Sequence, residues 1–118
     1  MAEGRTTIST HVLDLQRGLP AAGLTVTLAE VTADGTRTAL QAAVTDADGR
    51  VRDLLGGGIL RVGRYELTFD VASYRAAAGG DAPFFRTASV VIEVADTGRS
   101  YHVPLLLSPF GLSTYRGS

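Results

Sequence analysis

Residues 100–118 read SYHVPLLLSPFGLSTYRGS, and the first third of this stretch decides the fold. At the strand period, Tyr101, Val103 and Leu105 fall on one face and His102 on the other. The Pro109-Phe110-Gly111 corner then bends the chain into a last short strand, expected over Leu112 to Arg116. The closing residues, Tyr115, Arg116, Gly117 and Ser118, set an aromatic hydroxyl, a guanidinium, a hinge and a second hydroxyl side by side. Chain ends usually fray into residues without a task. This density of polar groups marks the segment as part of a site.

Working outward, short β-branched runs recur between Gly, Pro and Asp punctuation, and helical periodicity is scarce. Thr7 to Leu15 alternates, with Ile8 and Val12 on one face and Ser9, His11 and Leu13 on the other. Arg17-Gly18-Leu19-Pro20 reads as a turn. Leu24 to Val31 is a strand with Leu24, Val26 and Leu28 inward, and Asp34-Gly35 is a hairpin signal that returns the chain over Thr36 to Thr45. Strands are further expected over Val51 to Leu55, Tyr65 to Val71, Thr87 to Ala95 and Tyr101 to Leu107. The one stretch of good helix formers, Ala72 to Ala78, is closed by Gly79-Gly80, and residues 81–86 read as a loop. The result is an all-β sandwich of eight strands and one short helix, a single domain over residues 1–118.

Composition narrows the chemistry. Eleven basic and twelve acidic side chains leave a net charge of −1, and no long single-sign run points to nucleic acid or an anionic membrane. All eleven basic residues are arginine, and cysteine is absent. Disulfides, thiolate nucleophiles, thiolate metal sites and lysine Schiff bases are therefore excluded. The N-terminal MAEGRTTIST lacks the basic and apolar segments of a secretory signal, and no run approaches the ~18 apolar residues of a membrane span. The cytoplasm is the expected compartment.

Several motifs fail on inspection. Asp46-Ala47-Asp48-Gly49-Arg50 begins like a calcium loop, but position five is Arg50 and position twelve, which requires a bidentate Glu, is Gly57. A tight turn whose Asp side chains accept from backbone amides is the better reading. Gly56-Gly57-Gly58 lacks the Gly-Lys-Ser/Thr ending of a phosphate loop, and Ser118 lacks a nucleophile-elbow context.

What remains for proton handling is led by two histidines. His11 and His102 both fall on the non-core faces of their strands, and if those strands are neighbours the imidazoles converge for acid/base work. A third ligand at zinc spacing is not apparent, so acid/base chemistry is preferred to a metal site. Any one arginine is ordinarily a surface residue in a weak ion pair. Arg50, at a turn, and Arg116, at the end of the sequence, are instead placed to present paired donors to a planar carboxylate-like or imide-like ligand. Tyr115 is either a packing aromatic or a stacking surface for such a ligand. On these residues alone, enzyme and binding module stand level.

Together, Ser9-Thr10-His11-Val12-Leu13-Asp14 with Gly18-x-Pro20-Ala21, Thr45-Asp46-x-Asp48-Gly49-Arg50, and Tyr101 to Ser108 with the closing Tyr115-Arg116-Gly117-Ser118 resemble the 5-hydroxyisourate hydrolases. These are transthyretin-like proteins of purine and urate breakdown, and the resemblance spans essentially the entire chain. The Tyr-Arg-Gly-Ser tail is its specific element, because it separates the hydrolases from transthyretin, the carrier of the same fold. The resemblance implies a transthyretin-like eight-stranded sandwich, a homotetramer built as a dimer of dimers, and hydrolysis of a cyclic amide without cofactor or metal. It places His11, Arg50, His102 and Ser118 at catalytic positions and Tyr115, Arg116 and Gly117 at substrate-binding positions. A carrier that binds without turnover is the alternative, and the tail counts against it. Three departures, Arg86 after Phe84-Phe85, Ser100 before Tyr101-His102, and Leu112 after Gly111, touch loops and packing rather than these positions.

Overall fold

The strand Ile8–Asp14 (β1) alternates buried and half-buried residues along its whole length, so Ile8, Thr10, Val12 and Asp14 turn inward while Ser9, His11 and Leu13 face out. Its long partner is Tyr101–Leu107 (β8), which runs parallel to it with Ser9 opposite His102 and His11 opposite Pro104. In the computed structural model, which describes residues 5–80 and 82–118, these two strands form the centre of one of two sheets. On the far side of β1 lie two short strands, Leu19–Pro20 (β2) and Arg50–Val51 (β5); beyond β8 lies Leu112–Thr114 (β9). The second sheet is antiparallel, in the order Arg37–Val44 (β4), Thr25–Val31 (β3), Gly63–Asp70 (β6), Thr87–Val94 (β7).

The inward faces meet in one apolar layer. Ile8, Val12, Val103, Leu105 and Leu107 of the first sheet pack in a cluster with Val26, Leu28, Tyr65, Leu67, Phe69 and Val94 of the second. Each large apolar side chain so enclosed contributes about 1.5–3 kcal/mol, which is how a chain without disulfides holds its sandwich. The outer face of the second sheet carries ion pairs: Arg37 pairs with Glu66 at 3.0 Å and Arg64 with Glu93 at 3.2 Å. Val71–Ala77 (α1) follows β6 directly, with Asp70 capping it by accepting from the Ser73 amide and Gly79 taking a φ of 77° just past its end.

The expected sandwich and single helix are present, with three adjustments. Leu19-Pro20, read as a turn, forms a two-residue strand against Leu13 and Asp14, which brings the count among the described residues to nine. The expected strand Val51 to Leu55 stops at Val51, because the Asp53 carboxylate accepts from the Leu55 and Gly57 amides and curls the chain. The last strand ends at Thr114, not Arg116. Residues 1–4 and Asp81, the first residue of the expected 81–86 loop, lie outside the described residues.

Candidate active site on the outer face of the first sheet

Strand β1 organises the site because it has a functional neighbour on each side. Across one edge, antiparallel pairing sets His11 opposite Arg50; directly opposed residues share a face with Cβ atoms ~5 Å apart. Across the other edge, parallel pairing with β8 sets His102 opposite Ser9, two residues from His11 and on the same outer face. The convergence expected of the two histidines therefore follows from a pairing between strands that are distant in sequence.

Arg50 owes its place to the turn before it. Asp46 Oδ1 accepts from the amides of Asp48 and Arg50, as expected of this turn, although Asp46 alone does so. Gly49 has a φ of +76°, and a Cβ there would sit 2.4 Å from the Val12 carbonyl oxygen. Only glycine allows the turn to lie this close to β1, with the Val12 amide donating to the Gly49 carbonyl at 2.7 Å. Arg50 is thus the first residue of β5 rather than a turn residue.

The tail's path follows from Pro104. On β8, the His102 carbonyl accepts from Gly117 and the Pro104 carbonyl from the Thr114 hydroxyl, so the even-numbered residues direct their backbone groups toward the tail. Keeping the register from Leu105 opposite Thr114 to His102 opposite Gly117 brings Tyr115 level with Pro104. Proline has no N–H to give there, so regular pairing lapses at Tyr115-Arg116 and resumes at Gly117. That return bond, 2.8 Å from the Gly117 amide to the His102 carbonyl, carries Ser118 to the histidine. It also demands glycine, since a Cβ at 117 would lie 2.5 Å from His102 Cδ2.

A cleft of about 440 Å³ opens over this arrangement, lined by Ser9, Arg50, Arg52, Arg99, His102, Gly117 and Ser118 among others. Three guanidiniums and no carboxylate side chain face it, a setting for an electron-rich, carbonyl-bearing ligand. A second cleft of about 300 Å³ adjoins it at His102 and is lined by Tyr101, Val103, Tyr115 and Arg116. Within one chain the Arg116 guanidinium lies 5.1 Å from the centre of the Tyr101 ring, so Arg116 and Tyr115 share this second space, while Arg50, Gly117 and Ser118 share the first. His102 is the residue common to both.

His102 is half-buried and its Nδ1 lies 2.9 Å from Ser9 Oγ. Burial, then the positive charge of Arg50, then His11, hold its pKa below the ordinary histidine value, and an opposing pull from the Ser9 backbone is the smallest contribution. His102 is accordingly a neutral imidazole near pH 7, available as a base. Among the described residues no three His, Cys, Asp or Glu side chains gather as a metal-binding group. Ser9, Arg52 and Arg99 were not singled out from the sequence. Ser9 was visible only as a residue two before a histidine, and its contact depends on the β1–β8 register.

The fold and this cleft define a transthyretin-type sandwich with a histidine and arginine site on its outer sheet face. The profile of the HIUase/Transthyretin family matches residues 8–117, and the chain belongs to that family. It is 48% identical over 118 residues to a 5-hydroxyisourate hydrolase of Deinococcus radiodurans, covering 98% of each protein. Among solved structures it is similar to the 5-hydroxyisourate hydrolase of Klebsiella pneumoniae, with a TM-score of 0.82 and 37% identity over 96% of this chain and all of that one. It is also similar to transthyretin from Sparus aurata, with a TM-score of 0.87 and 32% identity over 96% and 97% of the two chains. Hydrolase and carrier share the backbone, so the site must tell them apart.

Proposed function

We propose that this chain hydrolyses 5-hydroxyisourate to 2-oxo-4-hydroxy-4-carboxy-5-ureidoimidazoline, a step of urate and purine degradation in the cytoplasm. The observation that carries the reading is the joining of His102, Arg50 and the Gly117-Ser118 tail in one cleft, with His11 paired to Arg50 beside it. In this mechanism a neutral imidazole takes a proton from water, and the resulting hydroxide oxygen bonds to the carbonyl carbon of the cyclic amide. Arg50 offsets the charge on the carbonyl oxygen. Collapse breaks the C–N bond, the ring nitrogen receives a proton from the second histidine, and a carboxylate is left on the opened product. Ser118 holds water or substrate, and Gly117, beside it in the cleft, and Tyr115 and Arg116, in the adjoining one, bind the substrate. No step calls on a metal.

The reading extends to assembly as a dimer of dimers. The site face carries Leu13 and Leu106 beside the histidines, whereas the opposite sheet's outer face is laced with ion pairs. Burying the apolar side chains of the site face against another copy favours association, and closing that face encloses the cleft. Strand β7 offers an eight-residue open edge without proline or lysine, suited to pairing between copies.

The test is kinetic. His11→Ala and His102→Ala should each lower kcat on 5-hydroxyisourate by roughly two to four orders of magnitude, while dialysis against a chelator leaves the wild-type rate unchanged. Wild-type rates in both variants, or loss of activity on chelation, would contradict the mechanism.

A further inference from the structure

The proton chemistry just described leaves open which nitrogen of which histidine meets water, and the contacts around His102 bear on it. The ring has two nitrogens, and the position of the proton on one is set by what the other touches. Nδ1 is engaged by Ser9 Oγ at 2.9 Å, from the residue directly opposite His102 in the β1–β8 register. Gly117 closes over the carbon edge, close enough that a single methyl would overlap Cδ2. The ring is therefore held at one nitrogen and along one edge, and Nε2 is the nitrogen left for the cleft. The groups around it are His11 on β1, Arg50 on β5, Arg52 and Arg99 on the cleft wall, and Arg116 and Glu93 in the adjoining cleft.

We infer that Ser9 is a positioning residue: its side-chain oxygen accepts from His102 Nδ1–H, fixing the tautomer that presents the Nε2 lone pair to the cleft. The inference rests on the hydrolase reading for its kinetic consequence, and within that mechanism it assigns His102 as the base and His11 as the proton donor. The charge around the ring favours donation from His102 to Ser9 over the reverse. Three guanidiniums around the cleft favour an outward lone pair over an outward N–H.

The experiment reads the tautomer directly and needs no substrate. Nitrogen-15 spectra of the imidazoles in the full-length protein near pH 7.5, assigned with His11→Ala, should show His102 with a protonated Nδ1 and a pyridine-type Nε2. In Ser9→Ala the fixed tautomer should be lost and kcat should fall about 10- to 100-fold with little change in KM; Ser9→Thr should restore both. A wild-type His102 protonated at Nε2, or a Ser9→Ala protein with unchanged spectrum and kcat, overturns the assignment. If the spectra behave as expected and the wild type leaves 5-hydroxyisourate decay unaccelerated, the positioning role stands and the hydrolase reading alone fails.

Discussion

At the scale of single residues, the account turns on how closely Gly117 and His102 meet. The tail lays bare backbone along the carbon edge of the imidazole, and the Gly117 amide bonds the His102 carbonyl. Gly117→Ala should therefore leave the sandwich intact while shifting the ring or the tail, and misplacement on this scale costs about 10²-fold in kcat. Thermal unfolding within a few degrees of wild type with impaired turnover is the expected pair of results; wild-type turnover would remove the contact from the mechanism. His102 also makes a pH prediction. Its folded pKa lies below its unfolded value of about 6.5, so the ring stays neutral where a free histidine would charge. The acid limb of kcat/KM should therefore begin below pH 6.5. By the same linkage, the unfolded chain takes up this proton first as pH falls, and this group's effect on stability is lost only below pH 6.5.

Among the elements, the buried group at the end of β1 is the most exposed to test. Asp14 accepts from the Tyr74 hydroxyl at 2.8 Å and from Arg75 Nη1 at 3.4 Å, with both charged side chains nearly inaccessible. This ties α1 to the strand that carries His11. Asp14→Ala would strand a buried guanidinium and should cost about 3–5 kcal/mol, measured by urea unfolding; a loss below about 1 kcal/mol would show that the pair does not hold the helix. Which of these elements the sequence disclosed follows a physical line. The alternation of Ile8 to Asp14 and of Tyr101 to Leu107 was legible because each strand is buried on one face. Leu19-Pro20 was not, since two residues have no period, and Val51 to Leu55 misled because Asp53 bends this short run by local hydrogen bonds. The histidines and Arg50 could be named from residue type and motif. Ser9, Arg52 and Arg99 could not, because their place in the cleft depends on pairings such as Ser9 with His102 that no local pattern encodes.

For the whole molecule, one chain brings His102, Arg50 and Ser118 together yet leaves Arg116 stacked on Tyr101, and its site lies on an open sheet face. The assembly proposed above would enclose that face, so sizing should give a tetramer, and a fully active monomer would contradict it. The backbone cannot separate hydrolase from carrier, as its similarity to both shows; the site must. The most direct measurement is the ultraviolet decay of freshly prepared 5-hydroxyisourate after adding the protein. The account predicts decay in proportion to enzyme, far above the spontaneous rate. Decay at the spontaneous rate, with the compound bound but unchanged, would make this chain a carrier and contradict the central claim.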